Sequence, residues 1–343
     1  MLICEAEREI NKTKAERDLP HRVLFWVRKA EYSNNRPFMT NHSPPSPVSS
    51  SFRRGYVAIV GRPNVGKSTL LNRILERKLS ITSRKPQTTR NRILGIKTTK
   101  SCQAIYLDTP GLDLQGKRAI NRYMNRMATG AMLDVDLAIF VVEAQRWMEL
   151  DHDVQLRLTD SRAPVILAVN KIDRIKDKTE LLPFLEEMDR SGDYREIIPL
   201  SASRGDNIPL LEELVARNLP EGELLFPKRQ ITDQSKQFFA SELIREKLTR
   251  SLGQELPYRL AVEIENWSER RKIIVIDAVI WVEKPGQKAI VIGKQGNMLK
   301  SIGSKARAEM EDFFEKKVLL KLWTKVRAGW SANDATLRML HYE

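Results

Sequence analysis

The chain has 343 residues, 41% hydrophobic and 30% charged, with a formal net charge of +14. Such a length suits two or three domains with packed cores, and no apolar run approaches the ~18 residues a membrane span needs, which points to a soluble protein able to touch a membrane surface. The positive excess points to an acidic partner, nucleic acid or anionic lipid, and it is densest toward the ends: residues 228–343 carry 22 basic and 15 acidic groups.

Residues 1–54 mix charges without periodicity and end in the Pro/Ser-rich stretch Ser43–Ser51. That composition predicts a disordered extension, or a reading frame extended upstream of a start at Met39. Glu5, Glu7 and Glu9 argue against a secretory signal and an organellar transit peptide. Cys4 and Cys102 stand far apart and read as two free thiols in a reducing cytosol.

From Tyr56 the pattern changes. The apolar run Tyr56–Val60 predicts a buried strand, and Gly61-Arg62-Pro63-Asn64-Val65-Gly66-Lys67-Ser68 follows it, ahead of a helix opening at Thr69 with helical spacing over Leu70–Leu79. G-x-x-x-x-G-K-[ST] between strand and helix is a phosphate-binding loop. Its glycines permit the tight turn, the helix N-terminus adds partial positive charge, Lys67 reaches β- and γ-phosphates, and the Ser68 hydroxyl suits Mg2+. In the following segment Ser83–Asn91 a threonine hydroxyl can complete the Mg2+ shell when a γ-phosphate is present; Thr89 is favoured over Thr88.

Next come an edge strand, Arg92–Thr98, and a buried strand, Ala104–Leu107, which leads into Asp108-Thr109-Pro110-Gly111. There Asp108 can hold a metal-bound water and the Gly111 amide can sense a γ-phosphate. The next residue, Leu112, cannot orient an attacking water, so the helper is a bound cation, backbone groups or a partner, and turnover by the lone protein should be slow. After strand Leu137–Val142 and a helix over Leu150–Leu158, strand Val165–Val169 ends in Asn170-Lys171-Ile172-Asp173. The two oxygens of Asp173 match the N1–H and exocyclic amine of guanine, Asn170 would tie this loop to the phosphate loop, and the Lys171 stem would cover the base. Helix Leu181–Met188 and strand Ile197–Leu200 lead to Ser201 and Ala202, where a backbone N–H could reach guanine O6. Helix Leu210–Val215 closes the unit near Glu221 and Gly222. Continuous apolar strands alternating with helices describe an α/β fold, a mainly parallel sheet covered on both faces, over residues 55–224.

Residues 225–343 have another order: a helix at 235–252, strands at 259–267 and 272–284, helical segments at 287–315 and a last strand at 318–326. This is an α+β unit. Lys284 to Arg307 holds six Lys/Arg and no acid, and within it Gly293-Lys294-Gln295-Gly296 has the G-x-x-G form that clamps single-stranded backbone in KH domains. Lys288 and Lys300 flank it with further positive charge. Ile290, Ile292, Met298, Leu299 and Ile302 read as core, with Ile290 and Ile292 flanking the groove.

Gly61–Ser68, Gln87-Thr88-Thr89-Arg90, Asp108–Gly111 and Asn170–Asp173 together resemble the Era GTPases of bacteria, and the likeness extends over residues 55–343. The resemblance implies a Ras-like P-loop G domain with a hydrophobic residue at Leu112 and a type 2 KH domain after it. It also implies GTP/GDP and Mg2+, with K+ held with help from Asn64 as in related GTPases. A monomer would bind the 3′ end of small-subunit ribosomal RNA and act in assembling that subunit, in the cytoplasm with a fraction on the inner face of the membrane. On residues alone two rivals remain: a constitutive RNA-binding protein with a structural nucleotide site, and a GTPase whose basic half tethers to anionic lipid.

Overall fold

The computed structural model describes residues 52–83, 89–111, 123–125, 127–130, 134–253 and 256–330. The expected N-terminal extension falls almost wholly outside them, as do Gln87, Thr88 and Leu112.

Six strands form the first sheet: β1 (Arg53–Val60), β2 (Ile93–Thr98), β3 (Cys102–Asp108), β4 (Leu137–Glu143), β5 (Val165–Asn170) and β6 (Glu196–Pro199), in the order β2-β3-β1-β4-β5-β6. Only β2 runs antiparallel to its neighbour. Every residue of β3, β4 and β5 is buried, the price of a sheet covered on both faces and the reason these strands read as unbroken apolar runs. On one face α1 (Lys67–Leu75) and α4 (Ile208–Asn218) set Leu70, Ile74, Leu211 and Val215 against Val57, Ile59 and Ile139. On the other, α2 (Glu149–Thr159) and α3 (Leu181–Ser191) set Val154, Leu158, Leu185 and Met188 against Ala58, Phe140 and Val142. Because β1, β3, β4 and β5 are parallel, their carboxyl ends share one rim, where such sheets place ligand loops.

The second sheet has three strands, with α5 (Lys236–Ser251), β7 (Leu260–Glu269), β8 (Ile273–Val282), α6 (Pro285–Ile292), α7 (Asn297–Phe314) and β9 (Lys317–Val326) in chain order. β8 lies between β7, antiparallel, and β9, parallel over its whole length. Leu243, Ile244, Leu248, Ile276, Ile280, Val291, Ile302 and Met310 fill a core of their own. Between the two sheets the chain runs along the open edge of the first: Gln103 Nε2 donates to the Phe226 carbonyl (2.8 Å), Ile96 N–H to Ile231 O (2.9 Å) and Thr232 Oγ1 to Leu94 O (2.7 Å).

Three expectations need correction. The first helix ends at Leu75, not Leu79: Glu76 turns left-handed, and Asn72 Oδ1 takes the N–H groups of Leu79 (2.9 Å) and Ser80 (2.8 Å), folding the chain back. Ile290, expected in the core, is 56% exposed on α6, whereas the break between α6 and α7 falls at Gly293–Gly296 as anticipated. Residues 123–125 and 127–130 are helical where no element was anticipated. No helix of the described residues is long and apolar enough to cross a membrane. Cys102 is buried, which pushes its thiol up to about 11.

Candidate functional site

The phosphate loop leaves β1 at Gly61 (φ 146°) and enters α1 through Gly66 (φ 109°). Neither position admits a side chain: a Cβ would collide with the Val141 carbonyl at Gly61 and with Asn170 Nδ2 at Gly66. Lys67 folds back beneath the loop, its Nζ donating to the carbonyls of Gly61 (2.8 Å) and Arg62 (3.0 Å). Burial lowers its pKa from 10.5 to about 8, against the opposing pull of Asp108. Arg62 was expected at the nucleotide, but its side chain turns away into a buried ion pair with Asp151 (2.9 Å) and Glu143 (3.3 Å). Val65 is core.

Ser68 Oγ and Thr89 Oγ1 stand 2.7 Å apart. Asp108, at the end of β3, is fully buried; Ser80 Oγ donates to its Oδ2 (2.8 Å), while Oδ1 has no hydrogen-bond partner. Burial raises its pKa, with Ser68, Lys67 and Ser80 pulling the other way. Two neighbouring hydroxyls and an unsatisfied buried carboxylate oxygen are hard oxygen donors, a set that fits Mg2+ with water between Asp108 and the ion. Thr109 Oγ1 donates to Ile59 O (2.9 Å), which fixes the turn after β3. Through the buried Pro110 it brings Gly111 so close to the phosphate loop that a Cβ would lie 2.8 Å from the Pro63 nitrogen.

Asn170 joins three loops. Its Nδ2 donates to Val65 O (2.8 Å), and its Oδ1 accepts from Lys171 N–H (2.7 Å) and Ala202 N–H (3.0 Å). The Ala202 amide is therefore engaged in this structure, as is that of Ser201, which donates to Asp206 O (3.1 Å), so neither is held ready for guanine O6. Ser201 serves Asp173 instead, its Oγ donating to Oδ1 at 2.6 Å, with Ser203 Oγ at 3.3 Å. Burial alone would raise the Asp173 pKa; these bonds outweigh it and leave the carboxyl below its ordinary value. Ile172 is buried beneath the loop, and Lys171 is held by Glu143 (3.0 Å).

These loops enclose one cleft of about 440 Å³, lined among others by Pro63, Asn64, Gly66, Lys67, Ser68, Thr69, Thr89, Gly111, Asn170, Lys171, Asp173 and Ala202. Sequence reasoning missed Ser203, which also lines it, and Arg73, whose guanidinium reaches from α1 to the carbonyls of Ala202 (3.2 Å) and Ser203. It also missed the Arg62–Glu143–Asp151 cluster. Arg73 falls on no motif, and nothing in its spacing marks it.

The second site is the break between α6 and α7. Gly293 (φ 72°) and Gly296 (φ 78°) bracket Lys294 and Gln295, both exposed, with Gln295 itself left-handed (φ 51°). A Cβ on Gly293 would lie 2.6 Å from Met298 Cβ, whereas Gly296 faces open space. From Gly296 a groove of about 350 Å³ runs along α7 past Leu299, Lys300, Gly303, Ser304 and Arg307, with Leu320 and Leu322 of β9 as its other wall. Gly296 and Lys300 line it; Lys294 and Gln295 are exposed just before Gly296 in the chain but do not line it, and Lys288 is half-buried on α6. Gly303, Ser304 and Arg307 were missed, although their spacing from Lys300 places all four on one helix face.

The GTPase Era of Pseudomonas aeruginosa (strain LESB58) is 54% identical to this chain over 295 residues, 86% of this chain and 97% of that protein. The chain belongs to the Era GTPase family. Era of Azotobacter vinelandii is 55% identical over 293 residues, 85% of this chain and 98% of its own length. A family model described as "50S ribosome-binding GTPase" matches residues 56–171, and one described as "KH domain" matches residues 255–331. A crystal structure of an Aquifex aeolicus Era variant bound to GDP and AlF4− superposes with a TM-score of 0.82 at 37% identity, over 85% of this chain and 99% of that one. A crystal structure of Era in complex with MgGDPNP and nucleotides 1506–1542 of 16S ribosomal RNA gives the same values. As an Era protein the chain is a GTPase, with a Ras-like sheet followed by a KH fold.

Proposed function

We propose that this chain is a GTP-hydrolysing switch in assembly of the small ribosomal subunit, reading ribosomal RNA near its 3′ end through the G-x-x-G groove. The observation that carries it is one cleft in which Lys67, Ser68, Thr89, Gly111, Asn170 and Asp173 meet, in a chain whose second sheet presents a basic groove of its own. The relative bound to MgGDPNP and 16S nucleotides supports both halves of the reading. On this reading the chain divides into a G domain over 55–224 and a KH domain over 225–343.

The phosphate loop and Lys67 hold the β- and γ-phosphates, Asp173 reads the guanine edge, and Asn170 keeps the two loops in register. Ser68, Thr89 and, through water, Asp108 hold Mg2+, which when bound neutralises charge on the phosphate oxygens. Attack by water on the γ-phosphorus leaves GDP and phosphate, and the contacts that hold Thr89 and Gly111 to the γ-phosphate end with it. Asn64, on the cleft wall, would help hold potassium, which would supply positive charge toward the phosphates in place of the glutamine that assists in Ras. Lys294 and Gln295, with the amides beyond Gly296, take RNA phosphates, and Lys288, Lys300 and Arg307 add positive charge. The protein works as a monomer in the cytoplasm, with peripheral contact to the inner membrane through its basic surface.

Single-turnover GTP hydrolysis is the test, with Lys67→Ala as control, alongside RNA and anionic-vesicle binding across a salt series. Wild type should consume GTP and the control should not. Replacing Lys294 and Gln295 by Asp should abolish RNA binding and spare hydrolysis. Equal GTP loss in wild type and control, or preference for vesicles over RNA at all salt concentrations, sinks the proposal.

A further inference from the structure

Thr89 and Arg90 are both buried, at 7% and 3% exposure, and they serve different parts of the molecule. Thr89 Oγ1 meets Ser68 in the nucleotide cleft at 2.7 Å. The guanidinium of Arg90 instead donates 2.8 Å to the carbonyl oxygen of Leu260, the first residue of β7 in the second sheet. Thr82 is fastened to that half of the chain too. Thr82 N–H donates to Glu246 Oε1 on α5 (3.1 Å), and Arg250 donates to Thr82 O (2.9 Å). Glu246 is fully buried and also accepts from Lys78 (2.6 Å) and Lys247 (3.0 Å), so this anchor is set in a charged cluster and not in a loose surface pair.

We propose that Arg90 is a positioning residue for GTP hydrolysis: by gripping the Leu260 carbonyl it holds Thr89 over Ser68, which makes the RNA-binding half of the chain part of the Mg2+–GTP site. The inference rests on Thr89 being the hydroxyl that joins Mg2+ when a γ-phosphate is present. Thr89, next to an Arg90 fixed on Leu260, has less conformational freedom to lose when it engages the ion, so the ion is held more tightly. The guanidinium fork suits a fixed carbonyl, whereas a lysine amine at the same place carries the charge without the planar geometry. GDP has no γ-phosphate to recruit Thr89, so its binding does not draw on this grip.

The test uses the full chain and fluorescent GDPNP and GDP, titrated at a series of Mg2+ concentrations. Arg90→Ala should raise the Mg2+ needed for half-maximal GDPNP binding by about tenfold or more, the equivalent of losing one hydrogen bond to a charged group. Arg90→Lys should fall between it and wild type, and GDP affinity should stay within about twofold in both. Thr89→Ala is run beside them. If Thr89→Ala shifts the Mg2+ requirement and Arg90→Ala does not, the role given to Arg90 is wrong while that of Thr89 stands. If neither shifts it, the reading of Thr89 fails and takes the inference with it. Equal loss of GDP and GDPNP binding in Arg90→Ala marks a merely structural residue and overturns the proposal. Should that variant fail to fold, Arg90→Lys decides by the same comparison.

Discussion

Nucleotide binding should draw a proton from solution, because Lys67 is held partly neutral until phosphate arrives. Its Nζ lies among carbonyls under a loop that leaves it 6% exposed, and its pKa falls from 10.5 to about 8. At 1.36 kcal/mol per unit, that depression corresponds to roughly 3 kcal/mol against the charged form in the free protein. Phosphate oxygens favour the ammonium, so the bound pKa lies higher and binding takes up protons between the two values. At pH 8 half of the free protein carries neutral Lys67, so about half a proton should enter per nucleotide, rising toward one at pH 9. Affinity should weaken by up to about tenfold per unit above pH 8, while the free protein gains stability over the same range, since its unfolded chain binds the extra proton. Calorimetric titration with GDP at pH 7.5, 8 and 8.5, in two buffers of different ionisation enthalpy, measures the uptake directly and stays below the titration of guanine N1. Uptake near zero at pH 8.5 would refute the argument.

Asp173→Asn should shift preference from GTP toward xanthosine triphosphate, with GTP affinity falling at least about tenfold for the loss of charge-assisted bonds; competition binding of the two nucleotides reads it, and unchanged GTP affinity would undo the assignment of Asp173 to the base. Gly66→Ala forces a Cβ into Asn170 Nδ2 at a left-handed φ. It should cost about 1–3 kcal/mol in nucleotide-free melting and weaken GDP binding more than tenfold by prising Asn170 from Val65; a variant that melts and binds like wild type contradicts the role given to Asn170.

The rim of the first sheet was legible in the sequence because each loop there is a contiguous stretch whose residue types answer a local demand. Gly61 and Gly66 must turn, Lys67 must carry charge, and Asp173 must offer two acceptors. What escaped depends on residues far apart in the chain. Arg62 meets Glu143 and Asp151, Arg73 holds Ser203, and Arg90 grips a backbone oxygen at Leu260. No spacing encodes such pairs, because packing of whole elements creates them. The premature end of α1 was similarly hidden, since Asn72 acts as a cap only once the chain has folded back to Ser80. Arg307, by contrast, could have been found by following the face of α7 onward from Lys300.

The stretch between the two sheets has one more consequence. β2 is the outermost strand of its sheet, and an outermost strand with bare amides invites pairing with other chains. Here Ile231 occupies the Ile96 amide and Thr232 the Leu94 carbonyl, so the connector shields an adhesive margin. A variant whose connector comes away from β2 would bare that margin and be prone to stick to its own kind.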